Sequence, residues 1–304
     1  MTSLARVTQS TISSSTINSL QDAIGRVQDL QQKLSSGKQI NKPSDDPGGT
    51  VQALNYRSQI KRTTQYSNNA QNGLDWLGTA DSTMSNMQTQ IQRARTLTLQ
   101  AANSSMSSDE RTAVAQEIDT IRQAMIGMAN TTYMDRPIFG GTASNPTGAT
   151  LAYDSNGNYL GDGGAVNRNV ARGVQVQVNV TGPEVFGSGA SNLFTVLGQI
   201  SADLKNGSPA AVSNLTATDL GNLDTAMTRV SNTQATVGAR YDRVQTMKTM
   251  SDNSMLNLQS GLTEVEDADL PKTITDLQMQ QVSYQAALAA SAKVIQPSLV
   301  DFLR

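Results

Sequence analysis

The feature that most constrains this fold is a seven-residue apolar repeat over residues 223–265 of the 304-residue chain. A heptad repeat keeps one face of a helix apolar along its whole length, so that the helix can pack against another long helix. The two rows of the repeat are Leu223, Val230, Val237, Val244, Ser251, Leu258 and Val265, and Met227, Gln234, Tyr241, Lys248, Met255 and Leu262. The sequence therefore predicts a helix of about 45 residues here.

Two further helices are predicted before the centre of the chain. In the segment 50–102, Leu77, Met84 and Ile91 recur every seven residues beside a row of small and flexible side chains. Ser107 and Glu110 then form the S-x-x-E pattern of a capping box, which predicts the start of a third helix. Together these patterns favour a mainly α fold, a long antiparallel helical bundle or coiled coil.

The two ends of the chain carry apolar stripes of helical spacing, which we interpret as an assembly interface. The N-terminal stripe holds Ile17, Leu20, Ile24, Val27, Leu30 and Leu34, and the C-terminal one holds Leu277, Tyr284, Leu288 and Ile295, followed by Leu299 and Phe302 in a short tail. Residues 1–62 carry a net charge of +4 and residues 263–304 one of −3. Opposite charges and matching stripes predict that these terminal helices pair.

The amino-acid composition changes between residues 136 and 218, where Gly and Pro become frequent. Valines alternate with polar residues from Val174 to Val180, the pattern of a half-buried strand, and Asn156-Gly157 is a hairpin signal. We predict a small β-rich outer domain with one short helix, Leu193 to Leu204. The remaining division is 1–40 with 265–304 as a terminal helical domain and 41–135 with 219–264 as a helical rod.

Composition excludes several functions. The chain has no Cys and no His, which removes disulfides, thiolate and His-based catalysis, and the usual zinc sites. A net charge of −2 argues against nucleic-acid binding, and no run of 18 apolar residues predicts a membrane span. No cleaved signal peptide is recognisable in residues 1–30. With aromatic residues at 4%, we also expect no large aromatic core.

Three groups of polar residues invite a chemical interpretation. Asp154 opens a segment with calcium-loop character, but Tyr159 and Ala165 stand where that motif needs Gly and Glu, so a hairpin turn is preferred. The acidic cluster at 264–269 suits the N-terminus of the next helix better than catalysis. Arg57 with its basic neighbours suits a solvated face or a subunit contact. We expect no catalytic residue, no cofactor and no metal.

The loop after the first stripe gives the most specific signal. Residues 34–49 read LSSGKQINKPSDDPGG, a dense cluster of turn-forming residues that includes Asn41, Pro43, Ser44, Asp45, Asp46 and Pro47. This run resembles the signature that follows the first helix in the bacterial flagellin family, and its Lys-Pro-Ser-Asp-Asp-Pro form is similar to the hook-associated members. Residues 135–142, 265–269 and 298–303 resemble later segments of the same family, in the same order.

This resemblance implies an exported structural subunit of the extracellular flagellum, with no enzymatic activity and no membrane or nucleic-acid contact. The implied position is a junction ring made of copies of this chain, between hook-associated protein 1 and flagellin. An export chaperone is expected to cover the C-terminal helix before export. Two other interpretations stay open: a filament flagellin, and an enzymatic or binding β module on a coiled-coil scaffold.

Overall fold

The structure, a computed structural model, describes residues 9–103, 105–143 and 151–295. It divides into two compact units. The first combines residues 1–62 with residues 255–304, two segments that are distant in sequence, and the second is the continuous segment 63–254. The fold is mainly helical, as predicted, with a small strand-containing region in the middle of the chain. The three-part division expected from the sequence stays a prediction.

Four long helices follow the apolar repeats closely. They are α1 (Gln9–Ser36), α2 (Pro47–Ala101), α7 (Leu220–Glu266) and α8 (Leu270–Ile295). α1 packs along α8, which confirms the predicted pairing of the terminal helices. Within residues 63–254, α2 and α7 share an apolar core and are joined by hydrogen bonds such as Gln88 to Gln234 (2.8 Å).

α3 (Ser108–Ala129) begins where the sequence predicts. The Ser107 hydroxyl accepts the backbone N–H of Glu110 (3.3 Å), and the Glu110 carboxylate accepts the backbone N–H of Ser107 (2.8 Å). This reciprocal pair satisfies two amides that the first helical turn leaves without carbonyl partners. The capping box therefore fixes the start of α3.

The middle of the chain contains less strand than expected. β1 (Thr132–Tyr133) and β2 (Arg136–Pro137) form one antiparallel pair, and β3 (Asn167–Ala171) and β4 (Val174–Gln177) form another. The strand predicted up to Val180 ends at Gln177, because residues 178–181 are all buried and no longer alternate. At this point a side chain takes the place of a backbone carbonyl as the hydrogen-bond acceptor: Oδ1 of Asn179 accepts the backbone N–H of Val166 (2.7 Å).

This region contains more helices than the one short helix that the sequence predicts. Besides α5 (Leu193–Asn206), which matches it, the region holds α4 (Gly182–Phe186) and α6 (Pro209–Asn214), a 3₁₀ turn at Gly189–Ser191 and a π turn at Leu215–Asp219. Both α4 and α6 have a proline in the first turn, where its missing N–H costs no helical hydrogen bond. They are too short to show helical periodicity.

An aromatic cluster lies within the apolar core of the second unit, contrary to the expectation from composition. Phe139, Tyr153, Phe186 and Phe194 are fully buried and lie edge to face or tilted, with ring centroids 5.0–5.6 Å apart. Such geometries add to the stabilisation from burial alone. Three of the four phenylalanines of the chain lie in this cluster, which a percentage cannot reveal.

Candidate assembly site

The loop that joins α1 to α2 is held in shape by its own side chains. Gly37 adopts the left-handed conformation (φ 71°) that ends α1, as expected for a glycine after a helix. The Asp45 carboxylate accepts the backbone N–H groups of Asn41 (3.0 Å) and Lys42 (2.8 Å). These two backbone bonds, that of Lys42 first, lower the pKa of Asp45 below its ordinary value.

Asp46 starts the next helix. Its carboxylate accepts the backbone N–H of Gly49 (3.0 Å), and Pro47 occupies the first helical position. A Cβ at Gly49 would clash with the Asp46 carboxylate and come within 2.6 Å of the Ile40 side chain, so glycine leaves room for this cap. Pro43 and Ser44 are exposed at the tip of the loop. The motif thus encodes a helix stop, a tight loop and a helix start.

The structure brings this loop against the acidic segment from the other end of the chain. The backbone N–H of Gln39 donates to the carbonyl of Glu266 (2.7 Å), and the N–H of Ala268 donates to the carbonyl of Gly37 (2.9 Å). Lys38 and Asp267 form an antiparallel bridge between these bonds. Two motifs separated by more than 200 residues therefore meet in one short backbone pairing.

Glu266 is the electrostatic centre of this pairing. Its side chain is 5% exposed, and one carboxylate oxygen contacts both the Lys38 ammonium and the Arg57 guanidinium. Burial by itself raises the pKa of Glu266, but the two cations outweigh it and the pKa lies below its ordinary value. A buried carboxylate with two cationic partners links the loop after α1, the helix α2 and the end of α7.

A cavity of about 310 Å³ lies beside Glu266 in the same unit. Its walls combine the cations Lys38, Lys42 and Arg57 with the apolar side chains of Ile40 and Leu54. Leu54 is 56% exposed, and its neighbour on α2, Val51, is 61% exposed. Exposed apolar residues next to a charged loop are typical of a protein contact surface.

The predicted interface residues fall into three groups. Leu20, Val27, Leu30 and Leu34 on α1, and Leu277 and Tyr284 on α8, are half-buried. The exposed ones are Ile17, Ile24 and Leu288, at 49%, 38% and 42%. Ile295 is the last residue of α8, whereas Leu299 and Phe302 lie outside the described residues. The α1–α8 contact therefore uses only part of each stripe.

Further apolar side chains on α8 face away from that contact. Ile274, Met279 and Val282 are 43%, 62% and 66% exposed. The half-buried and buried positions of α8 are 273, 276, 277, 280, 284, 287 and 291, which lie along one side of the helix, and these three residues lie off it. α8 thus carries more apolar surface than α1 covers.

The alternative chemical interpretations find little support. Asp154 accepts the backbone N–H groups of Asn156 (2.9 Å) and Asn158 (2.8 Å), as in a closed turn, and Tyr153 bridges Tyr159 across it. In the part of the chain that the structure describes, no three Asp, Glu, His or Cys residues group as metal ligands. No described helix is long and apolar enough to cross a membrane.

Sequence reasoning missed the triad of Lys38, Arg57 and Glu266. Arg57 and Glu266 were interpreted as a solvated or subunit-contact residue and as a helix-dipole residue, and they are partners in the structure. The opposite net charges of the terminal segments indicate that the two segments attract each other, but a net charge does not predict which individual residues form ion pairs. Only the path of the chain decides which carboxylate meets which cation.

Comparison with known proteins gives the family. The N-terminal helical region of bacterial flagellin matches residues 7–143, and the C-terminal helical region matches residues 220–303. The chain belongs to the bacterial flagellin family. It is therefore a structural component of the bacterial flagellum, outside the cell, and not an enzyme.

Among relatives of this flagellin-family chain, flagellar hook-associated protein 3 of Escherichia coli is 25% identical over 85% of this chain and 87% of its own. Flagellin FlaB1 of Treponema pallidum is 24% identical over 90% and 91%. The solved structure of FlgL from Bacillus cereus superimposes with a TM-score of 0.57 at 24% identity, covering 69% of this chain and 99% of its own. Hook-associated proteins and filament proteins are thus about equally similar.

Proposed function

We propose that the chain is the subunit of the junction ring between the flagellar hook and the filament. The observation that carries an assembly role is the apolar surface left exposed on α1 and α8 after they pack together. Exposed apolar side chains at helical spacing are stabilised when a neighbouring subunit covers them. The terminal helices are therefore the contact surface for further copies of the chain.

The junction position is supported by the form of the first loop and by the named relatives. The Lys42-Pro43-Ser44-Asp45-Asp46 run resembles hook-associated members of the family, and one relative is flagellar hook-associated protein 3. In this proposal hook-associated protein 1 contacts the ring on one side and flagellin contacts it on the other. The role is mechanical, since the ring couples two polymers and transmits torque.

The filament itself is the second candidate. FlaB1 of Treponema pallidum is similar at nearly the same identity and covers slightly more of this chain. A filament flagellin would use the same terminal helices to pack into a longer polymer. What favours the junction is the loop sequence together with the small middle region between residues 136 and 218.

The deciding experiment is electron microscopy of cells that lack this gene, with an assay for flagellin in the medium. The junction proposal predicts hooks without filaments and monomeric flagellin outside the cells, because filament subunits are exported but have no ring to join. Reintroducing the intact gene restores the filaments. Bare hooks without external flagellin would instead identify the chain as the filament subunit, and normal filaments would overturn both.

The proposal includes a division of labour along the chain. Residues 1–40 with 265–304 make the inner assembly contacts, residues 41–135 with 219–264 form the rod, and residues 136–218 face outward. Deleting 136–218 and closing the gap with a short flexible linker tests this division. Filaments that still form would support it, and loss of assembly by a soluble, helical deletion variant would contradict it.

An export chaperone is the remaining proposed partner. The segment from Leu277 to Ile295 needs its apolar side chains covered before assembly, and an amphipathic helix in a hydrophobic groove is a common way to do this. Removing residues 265–304 is expected to abolish chaperone binding in a pull-down with the candidate chaperone. Unchanged binding by the truncated chain would overturn this part of the proposal.

A further inference from the structure

Two carboxyl groups lie buried together in the second unit, far in sequence from the motifs used above. Asp203 is on α5 and is 7% exposed, and Asp219, 3% exposed, is the last residue of the π turn Leu215–Asp219 that leads into α7. π turns are rare and frequently occur at functional sites. The two side chains are hydrogen-bonded to each other, so this turn ties the start of α7 to α5.

That hydrogen bond requires a proton between the two acids. An ionised carboxylate only accepts hydrogen bonds, so two ionised carboxylates cannot bond to each other. Other donors are scarce: Asp203 accepts the side-chain amide of Gln199 (3.1 Å), and Oδ2 of Asp219 receives no amide or hydroxyl donor from the described residues. One protonated and one ionised carboxyl satisfy each other, because the protonated group donates to the ionised one.

The cations of the neighbouring elements are engaged elsewhere. α5 packs against α3, α6 and the two short turns on either side of them. Lys205 of α5 pairs with Asp119 of α3 (2.6 Å), and Arg122 of α3 donates to backbone carbonyls. Near the start of α7, Asp224 pairs with Arg95 (2.6 Å). Among the described residues, those that line the cavity of about 310 Å³ beside the two acids include no Lys or Arg.

The proton is bound in mild acid and lost near neutral pH. Burial, followed by the charge of Asp203 and the hydrogen bond to it, raises the pKa of Asp219 from 3.8 to about 6. Because the folded value is the higher one, the stabilisation is complete below about pH 3.8 and is lost as the pH rises through about 6. Above that pH two buried negative charges repel each other.

We propose that Asp203 and Asp219 share one proton and act as an acid-stabilised link between α5 and the start of α7. This inference does not depend on the junction role, since it concerns the stability of residues 63–254 in any flagellar position. The flagellum lies outside the cell, so the link responds to the pH of the surroundings. In mildly acidic surroundings the second unit is held more tightly, and at neutral pH the π turn is released from α5.

The experiment is thermal unfolding of the purified full-length chain at pH 5, 6 and 7.5 at constant ionic strength. Asp219→Asn replaces the protonated acid with an amide, which donates to the Asp203 carboxylate at every pH. The Tm of the native chain, relative to that of this variant, is expected to fall by roughly 2–6 °C from pH 5 to pH 7.5. Carboxyls whose pKa is lowered, such as Glu266, stay ionised over this range and do not contribute.

Two further variants separate the link from a general effect of charge. Asp203→Asn should remove the same fall in Tm, because its amide donates to Asp219 whatever the pH. Asp242→Asn makes the same change at an exposed position of α7 and should keep the pH dependence of the native chain. A Tm difference between the native chain and Asp219→Asn that does not change with pH overturns the proposal.

Infrared difference spectroscopy detects the proton itself. The native spectrum minus that of Asp219→Asn should show the carbonyl band of a protonated carboxyl group at pH 5, and this band should disappear at pH 7.5. If the asparagine variants fail to fold, the difference between the native spectra at these two pH values gives the same measurement. Absence of the band at pH 5 overturns the proposal even where the Tm depends on pH, because other groups would then cause that dependence.

Discussion

The two units of this chain differ in how they are stabilised. Residues 63–254 contain nearly all of the fully buried apolar side chains, including Trp76, Ile118 and Phe194. In the described parts of 1–62 and 255–304, the buried apolar residues are only Ala23 and Ala53, beside the buried polar residues Glu266, Thr273 and Ser291. Residues 63–254 therefore have a hydrophobic core, whereas the other unit has only a narrow line of small and polar buried residues between its helices.

This difference implies that residues 63–254 are stable in a single chain, whereas the unit of α1 and α8 depends on assembly for its stability. Burial of large apolar side chains supplies most of the free energy that opposes chain entropy, and alanine supplies little. A helix pair with a thin seam is marginal in water on its own. We therefore expect α1 and α8 to exchange amide hydrogens readily in a dilute monomer and to become protected when neighbouring subunits cover them.

The largest expected effect is loss of the aromatic core. Phe194→Ala should lower the free energy of unfolding of residues 63–254 by about 3–5 kcal/mol, because it opens a cavity beside Tyr153 and Phe186. Tyr241→Ala is the matched control, since that ring is 39% exposed. Urea unfolding of both variants checks this, and equal destabilisation would mean that the core is not concentrated as described.

The second effect concerns the backbone pairing of residues 37–39 with residues 266–268 in the other unit. Glu266→Gln should destabilise this pairing by about 1–2 kcal/mol, because Lys38 and Arg57 lose their shared anion. The cost is limited because both cations are half-exposed and can be hydrated by solvent instead. Amide exchange at Gln39 and Ala268, whose N–H groups close the pairing, measures the change. Glu264→Gln, two residues away and exposed, should leave both amides as protected as before.

The pH dependence sharpens the same test. Because the pKa of Glu266 is lower in the folded state, its ionic contribution is complete above the ordinary value of about 4.3 and is lost as the pH falls through the lower folded value. Protection of Gln39 and Ala268, corrected for intrinsic exchange, should hold from pH 7 to 5 and then fall below about pH 4. Glu266→Gln should show no such acid-dependent step.

A smaller effect is expected at the start of α3. Ser107→Ala removes the hydroxyl that caps the helix and should lower the free energy of unfolding of the second unit by about 1 kcal/mol. Ser108→Ala is the control, since this residue is already inside the helix and exposed. Chemical denaturation of the two variants should separate them, and equal stability would show that the cap contributes nothing.

The smallest effect on the monomer should accompany a large effect on assembly. Leu288→Gln changes a side chain that is 42% exposed, so the free energy of unfolding should move by less than about 0.5 kcal/mol. Polymerisation or filament attachment, scored by electron microscopy, should nevertheless fail. Leu160→Gln, an exposed leucine of the second unit, should affect neither, and normal assembly of the Leu288 variant would contradict the proposed interface.

The sequence determined the helices because their signals are local and repeated. Heptads located α2 and α7, the Ser107–Glu110 box located the start of α3, and Gly37 located the end of α1. The loop 37–49 was likewise readable, since turn-forming residues act on their own backbone. The family followed from these same motifs, without any knowledge of packing.

Tertiary structure alone decided the contacts between distant segments. The meeting of Lys38 and Arg57 with Glu266, the gathering of scattered aromatic residues around Phe194, and the approach of Asp219 to Asp203 each depend on where the chain travels between them. Short elements such as α4 and α6 also escaped prediction, because one or two turns are too short to show a period and are stabilised by packing. Local pattern thus gave the elements, and burial chose their partners.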